Sequence, residues 1–246
     1  MKIETILSPA ELPTLVKQDL RGTACVVFDI LRATSTFVTA LQNGAKAIIP
    51  VGEISEAMAL RKKHPAFLLA GERDGVKIRA KQSGGVDFDF GNSPREFTPD
   101  AVEGKTIVST TTNGTRALRA CAKGKAVLAA SFLNLSATAK YLQTKKFKNV
   151  LLVCAGTGDG VALEDVLAAG ALADLLDGEE SDATTMARQT WLRSSGSLEQ
   201  AISGSKNGRR LLSIQDLWED VAFCAQKDVV DLVAGMAAGG KLGRKD

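Results

Sequence analysis

The sequence predicts an α/β fold whose largely parallel or mixed central sheet is covered by helices on both faces. Three observations carry this expectation. Short apolar runs alternate with stretches of helical periodicity. Those runs are apolar throughout, as strands buried on both faces require. The chain has 246 residues, enough to bury a sizeable core as one unit or as two closely joined lobes.

Taken in order, residues 24–30 (ACVVFDI) form a strand that passes through Leu31 and Arg32 into a helix over 33–43. Residues 45–51 add another strand. The run 66–70 (AFLLA) leads into a glycine-bounded loop, Gly71-Glu72-Arg73-Asp74-Gly75. In 106–112 the threonines favour a strand, because a branched β-carbon suits a pleated surface. Asn113 and Gly114 then turn the chain, and 115–122 is helical. Residues 126–132 lead through Asn134 into a helix over 136–144. Residues 150–155 lead through a glycine loop, 156–160, into a helix over 161–176. Residues 181–240 read as mainly helical, with apolar positions near helical spacing in 183–192 and 214–225. No linker interrupts the pattern, so 1–246 is expected to be one compact domain with a frayed tail from about 238 to 246.

Composition narrows the function classes. The chain is 45% hydrophobic and 24% charged, with mean hydropathy near zero, as in an ordinary globular protein. A net charge of +3, scattered basic residues and 5% aromatics give no footprint for nucleic acid. No apolar run approaches a membrane span, and MKIETILSPAELP lacks the basic-then-apolar pattern of a secretory leader. The four cysteines are far apart and fit neither a zinc site nor a disulfide scaffold, so reduced thiols in a cytoplasmic protein are expected.

The polar residues fall at the strand ends. Asp29, Glu72, Arg73, Asn113, Asn134 and the loop from Gly156 all lie at or just past the carboxyl end of an expected strand. Ligands bind there in open α/β sheets. Arg32, Arg73 and Arg116 follow three of those strands. Each alone reads as a surface ion pair, but three at corresponding places favour a small polyanion gripped by guanidinium forks. Asp29 ends an apolar strand, a costly place for a charge without a cation or donor. Glu164 and Asp165 occupy the first turn of a helix. They read equally as helix-end carboxylates or as oxygen ligands for Mg²⁺.

Several chemistries drop out. The single histidine, His64, follows Arg61-Lys62-Lys63 and precedes a proline, which suits a solvated loop rather than catalysis. The Walker A pattern, the cysteine-phosphatase loop and the D-x-D of aspartyl-phosphate enzymes are missing. The glycines of GTGDGVALED have the wrong spacing for G-x-G-x-x-G, so a loop approaching an anion is favoured over a dinucleotide site. Metal-assisted hydrolysis survives.

Six blocks in order then become informative: FDILRATST, LLAGERDG, FGNSPREFT, STTTNGT, SFLN and CAGTGDGVALED. Together they resemble the 2-phosphosulfolactate phosphatase family over roughly residues 20–180. The resemblance implies a three-layer α/β/α fold and a Mg²⁺-dependent phosphatase that converts 2-phospho-3-sulfolactate to sulfolactate, a step linked to coenzyme M biosynthesis. Block by block it points to Asp29 and Arg32; Glu72 and Arg73; Asn92 and Ser93; Asn113, Gly114 and Thr115; Asn134; and Glu164 with Asp165, beside which Thr112 and Gly156 are candidates from their place at strand ends. We expect Asp29, Arg32, Arg73 and Asn113 to be catalytic. Asp29, Glu164 and Asp165 are expected to hold the metal, and the others, with Arg116, to bind substrate. The phrase KIRAKQSGGVDFD and the end of the chain depart from the family's wording. A small anionic phosphomonoester is the expected partner, with no nucleic acid or membrane, and a homo-oligomer is compatible with the pattern. The rival expectations are a non-catalytic binder of a phosphorylated or sulfonated metabolite and a nucleotide-dependent oxidoreductase.

Overall fold

A computed structural model describes residues 1–245. Its strands are β1 (Lys2–Ile6), β2 (Thr23–Phe28), β3 (Ala47–Pro50), β4 (Leu68–Arg73), β5 (Val76–Lys77), β6 (Thr106–Thr110), β7 (Ala126–Ala130), β8 (Asn149–Cys154), β9 (Glu179–Glu180), β10 (Val233–Met236) and β11 (Leu242–Lys245). They form one sheet in the order β5-β4-β6-β3-β11-β10-β7-β2-β8-β1-β9.

Two blocks of that sheet are parallel: β4-β6-β3 on one side and β7-β2-β8-β1-β9 on the other. Between them sits the β10-β11 hairpin, antiparallel to both. The expected fraying from 238 is therefore corrected. Over its described part the tail becomes β11, with Leu242 buried and paired with Ile48; Asp246 lies outside the described residues. The fold also has fewer helical residues in 214–225 than periodicity predicts. Glu219–Cys224 is a short helix there, and Leu198–Ser203 and Lys206–Leu212 precede it.

Alternation along the central strands shows why they are apolar throughout. Ala24, Val26 and Phe28 join one core, while Cys25 and Val27 join the other. The first core packs against helices Leu135–Thr144, Leu163–Asp174 and Asp182–Ser194. The second contains helices Ala33–Gln42 and Gly114–Ala120, and draws residues from both blocks: Val27 and Val153 from one, Ala70 and Ile107 from the other. Both blocks thus close around these two helices. A third, smaller cluster under helix Ile54–Lys63 covers the far face of β4 and β6. No described helix is long and apolar enough to cross a membrane. All four cysteines are buried free thiols.

The strand-end expectation needs one amendment. Three antiparallel junctions separate the blocks, so they run in opposite senses through the ladder and share no single edge. Their carboxyl ends nevertheless meet, over the helices that both blocks share. Asn113, just after β6, donates its side-chain amide to the carbonyl of Ala155, just after β8, at 2.7 Å.

Candidate active site

Where the blocks meet, a cleft of about 280 Å³ opens. Strand β2 contributes Asp29 at its exit, with Leu31 and Arg32 close behind. The β4-β5 hairpin contributes Glu72, Asp74 and Gly75; the β6 exit contributes Thr112 and Asn113. Asn92 and the glycine loop (Gly156, Thr157, Gly158) close two further sides. The remaining wall comes from the late helix Lys206–Leu212, through Lys206, Asn207, Arg210 and Leu211.

Asp29 sits at the floor, 9% exposed. One carboxylate oxygen accepts from the amide of Ala33 at 3.0 Å, and the Gly114 backbone lies against this carboxylate. A Cβ at position 114 would stand 2.5 Å from the Asp29 Oδ2, so only glycine allows this approach. Burial pushes the Asp29 carboxyl up to about 7; the negative neighbours Glu72 and Glu164 add to the rise, and the backbone at Ala33 and Gly114 opposes it.

Glu72 lies in β4 and not in a loop. The strand continues to Arg73 and turns at Asp74 and Gly75, both with positive φ, as a two-residue hairpin turn requires. Glu72 is held by the amide and hydroxyl of Thr112 at 2.8 and 2.9 Å and by the amide of Gly75 at 2.7 Å. Strand alternation sends Arg73 the other way. Its guanidinium bonds the Glu72 carbonyl and the Thr110 hydroxyl, outside the cleft.

The other expected groups divide in the same manner. Arg32 reaches the cleft but is already engaged, with Asp220 and the Gly75 carbonyl each at 2.6 Å. Ser93 bonds Asp220 and does not line the cleft. Arg116 is exposed on helix Gly114–Ala120 and lines a separate groove with Arg119, Glu53 and Glu56. Thr115 is buried and bonds back to Thr111. Asn134 is buried too, accepting from the Ser131 amide and donating to the Leu232 carbonyl. Thr115 stabilises its own turn and Asn134 ties its turn to Leu232; neither lines the cleft.

Glu164 and Asp165 separate in role. Asp165 accepts from the amides of Ile30 at 2.8 Å and Gly156 at 2.9 Å, one on each oxygen, and so clamps the β2 and β8 exits together. Burial, then Glu164 and Asp29, raise its pKa well above the ordinary carboxylate value. Glu164 is 1% exposed; its Oε1 accepts from Asn207 at 2.6 Å, while its Oε2 is buried without a partner. The glycine loop offers fewer free amides than expected, because Thr157 and Gly160 bond each other and Gly156 serves Asp165.

Among the described residues no three His, Cys, Asp or Glu side chains cluster as a metal cage. Magnesium does not need one, since it takes one or two carboxylates and fills its shell with water and phosphate oxygens. Asp29, within electrostatic reach of Glu164, and the orphaned buried oxygen of Glu164 are a donor set of that kind.

Sequence reasoning missed Lys206, Asn207, Arg210 and Asp220. The only signal was the short basic run after Ser205, since none of them follows a strand.

Comparison with known proteins decides the family. A family model described as 2-phosphosulpholactate phosphatase matches residues 10–239. The chain belongs to that family. A probable 2-phosphosulfolactate phosphatase of Caldanaerobacter subterraneus subsp. tengcongensis is 40% identical over 230 residues, covering 90% of this chain and 91% of its own. One of Thermotoga petrophila is 41% identical over 215 residues, 87% and 89% of the two chains. One of Clostridium perfringens is 38% identical over 240 residues, 95% and 92%. Membership of the 2-phosphosulfolactate phosphatase family makes the chain a phosphatase acting on a phosphate monoester.

Proposed function

We propose that the chain is a cytoplasmic Mg²⁺-dependent phosphatase that hydrolyses 2-phospho-3-sulfolactate to sulfolactate and phosphate, in a step linked to coenzyme M biosynthesis. The observation that carries this reading is the cleft's division into an acidic floor and a cationic wall. Asp29 and Glu72 line the cleft with Glu164 behind, and Lys206 and Arg210 line it from helix Lys206–Leu212. A trap for anions alone would gain nothing from buried carboxylates. A metal-dependent phosphatase needs them.

Asp29 and Glu164 would hold the ion, with Glu72 within electrostatic reach. When bound, magnesium would neutralise the phosphoryl oxygens and favour attack by water. The chain's own residues supply the positioning. Asp29 is oriented by Ala33 and Gly114. Arg32, fixed by Asp220, presents a guanidinium edge at the cleft. Asn113 spends its amide on the carbonyls of Ala155 and Gly158, which fixes the glycine loop and leaves its carbonyl oxygen available.

The test is phosphate release from a panel of phosphorylated 2-hydroxy acids, with Mg²⁺ and with a chelator. Turnover highest on 2-phospho-3-sulfolactate and lost with the chelator is expected. Equal release under both conditions would refute the metal dependence, and a different best substrate would refute the specificity.

A further inference from the structure

The cations lining the cleft fall into two classes. Arg32 is 3% exposed and neutralised by Asp220. Lys206 and Arg210 are exposed and take part in no ion pair among the described residues. They stand four residues apart in helix Lys206–Leu212, hence on one face, and both line the cleft. The Arg210 guanidinium lies along the hairpin tip. One of its nitrogens donates to the Asp74 carbonyl, and its carbon is 3.8 Å from where a Cβ on Gly75 would be.

This wall is fixed in place. Ser205 caps the helix through the Gly208 amide at 3.0 Å. Gly208 packs so tightly that a Cβ would stand 1.9 Å from the Ile202 carbonyl oxygen. Asn207 donates to Thr157 and to Glu164, both at 2.6 Å, so one amide sets the position of the cationic wall relative to the acidic floor.

We infer that Lys206 and Arg210 are specificity-determining residues. Together they take the strong anion on C3 of the substrate, while the floor takes the phosphoryl end. The inference rests on the phosphatase reading above and assigns what that reading leaves open. The acidic floor repels an anion that brings no metal, so the C3 anion has one favourable side. A phosphorylated 2-hydroxy acid with a sulfonate or carboxylate on C3 is then preferred over one with a bare methyl.

Lys206→Met and Arg210→Met test this, with Arg209→Met as the control because Arg209 does not line the cleft. Both test positions are exposed, so the variants are expected to fold. For 2-phospho-3-sulfolactate, kcat/KM should fall roughly 10- to 100-fold in each test variant, mainly through KM. For 2-phospholactate, which lacks the C3 anion, it should change less than about threefold. Equal losses on both substrates, or none on either, would overturn the inference while leaving the phosphatase reading intact. Calorimetric binding of sulfolactate provides a readout independent of turnover. It should weaken in both test variants and not in the control, even if the wild type releases no phosphate and the catalytic reading itself fails; unchanged binding would overturn the inference.

Discussion

The Arg32 guanidinium meets the Asp220 carboxylate at 2.6 Å across 188 residues of chain, with side chains 3% and 0% exposed. Ser93 occupies the other carboxylate oxygen at 2.7 Å. Removing one member of a buried pair leaves the other charge unsolvated. Asp220→Ala should therefore lower unfolding free energy by about 3–5 kcal/mol in a urea titration. The double variant Arg32→Met, Asp220→Leu should recover most of that stability yet stay poorly active, because Arg32 reaches the cleft. A double variant as unstable as Asp220→Ala would show that the loss comes from packing and not from charge.

Gly114→Ala should damage activity more than stability. The added methyl would approach the Asp29 Oδ2 at 2.5 Å and the Ala33 Cβ at 2.7 Å. Asp29 is the group able to move, and a displacement near 1 Å at a reacting centre costs on the order of 100-fold in rate. Overpacking costs about 1–3 kcal/mol. Steady-state kinetics beside a thermal melt check both; full activity would mean that the Asp29 position is not critical.

The three arginines show how far the sequence could be read. Arg32 and Arg116 follow strands and Arg73 ends one, and strand order alone cannot say which way a side chain faces. Glu72 and Arg73 are neighbours in β4, so the same alternation that aims Glu72 at the cleft turns Arg73 away. Apolar runs revealed β2, β7 and β8, because burial on both faces leaves an unmistakable composition. They did not reveal β10 and β11, whose sequence VAGMAAGGKLGRK carries small residues and glycines. Lys206 and Arg210 reach the cleft through tertiary packing of a short helix, a relation that no local pattern encodes.

Arg116→Ala is accordingly expected to leave kcat/KM within about twofold of wild type, as a surface change away from the cleft should. Arg116 lines a separate groove with Glu53 and Glu56 and does not line the cleft. A loss of tenfold or more in the phosphatase assay would restore it to the substrate site.

Asp29 makes the metal-free protein sensitive to pH. Its carboxyl rises from 3.8 to about 7, through burial first and the charges of Glu72 and Glu164 next. An acid with a raised folded-state pKa binds its proton more tightly when folded. The stability it contributes is complete below 3.8 and is lost as pH climbs through about 7. The ceiling on this loss is about 4 kcal/mol. Asp165, shifted in the same direction, adds to the slope. In a chelator at pH 8, Asp29→Asn should therefore outlast wild type in urea, and its stability should decline less between pH 4 and pH 8. Magnesium should reverse the ranking, stabilising wild type alone. Parallel pH slopes for the two proteins would dismiss the assignment.

Glu164 and Asp165 adjoin in sequence, and their substitutions should separate. Asp165 gives each oxygen to a backbone amide, one at Ile30 and one at Gly156, whereas Glu164 keeps a buried Oε2 with no partner. Asp165→Asn turns one acceptor into a donor facing an amide, which should cost about 1–3 kcal/mol of stability. The direct ligands would be untouched, so calorimetric Mg²⁺ binding should weaken by no more than about 10- to 100-fold and stay measurable. Glu164→Gln removes the charge beside Asp29 and leaves the amide clamp whole. It should abolish measurable Mg²⁺ binding and, in a chelator, equal or exceed wild-type stability, since a buried negative charge is gone. The reverse pattern, with metal binding lost in Asp165→Asn and kept in Glu164→Gln, would exchange the two roles and place the ion on the clamp.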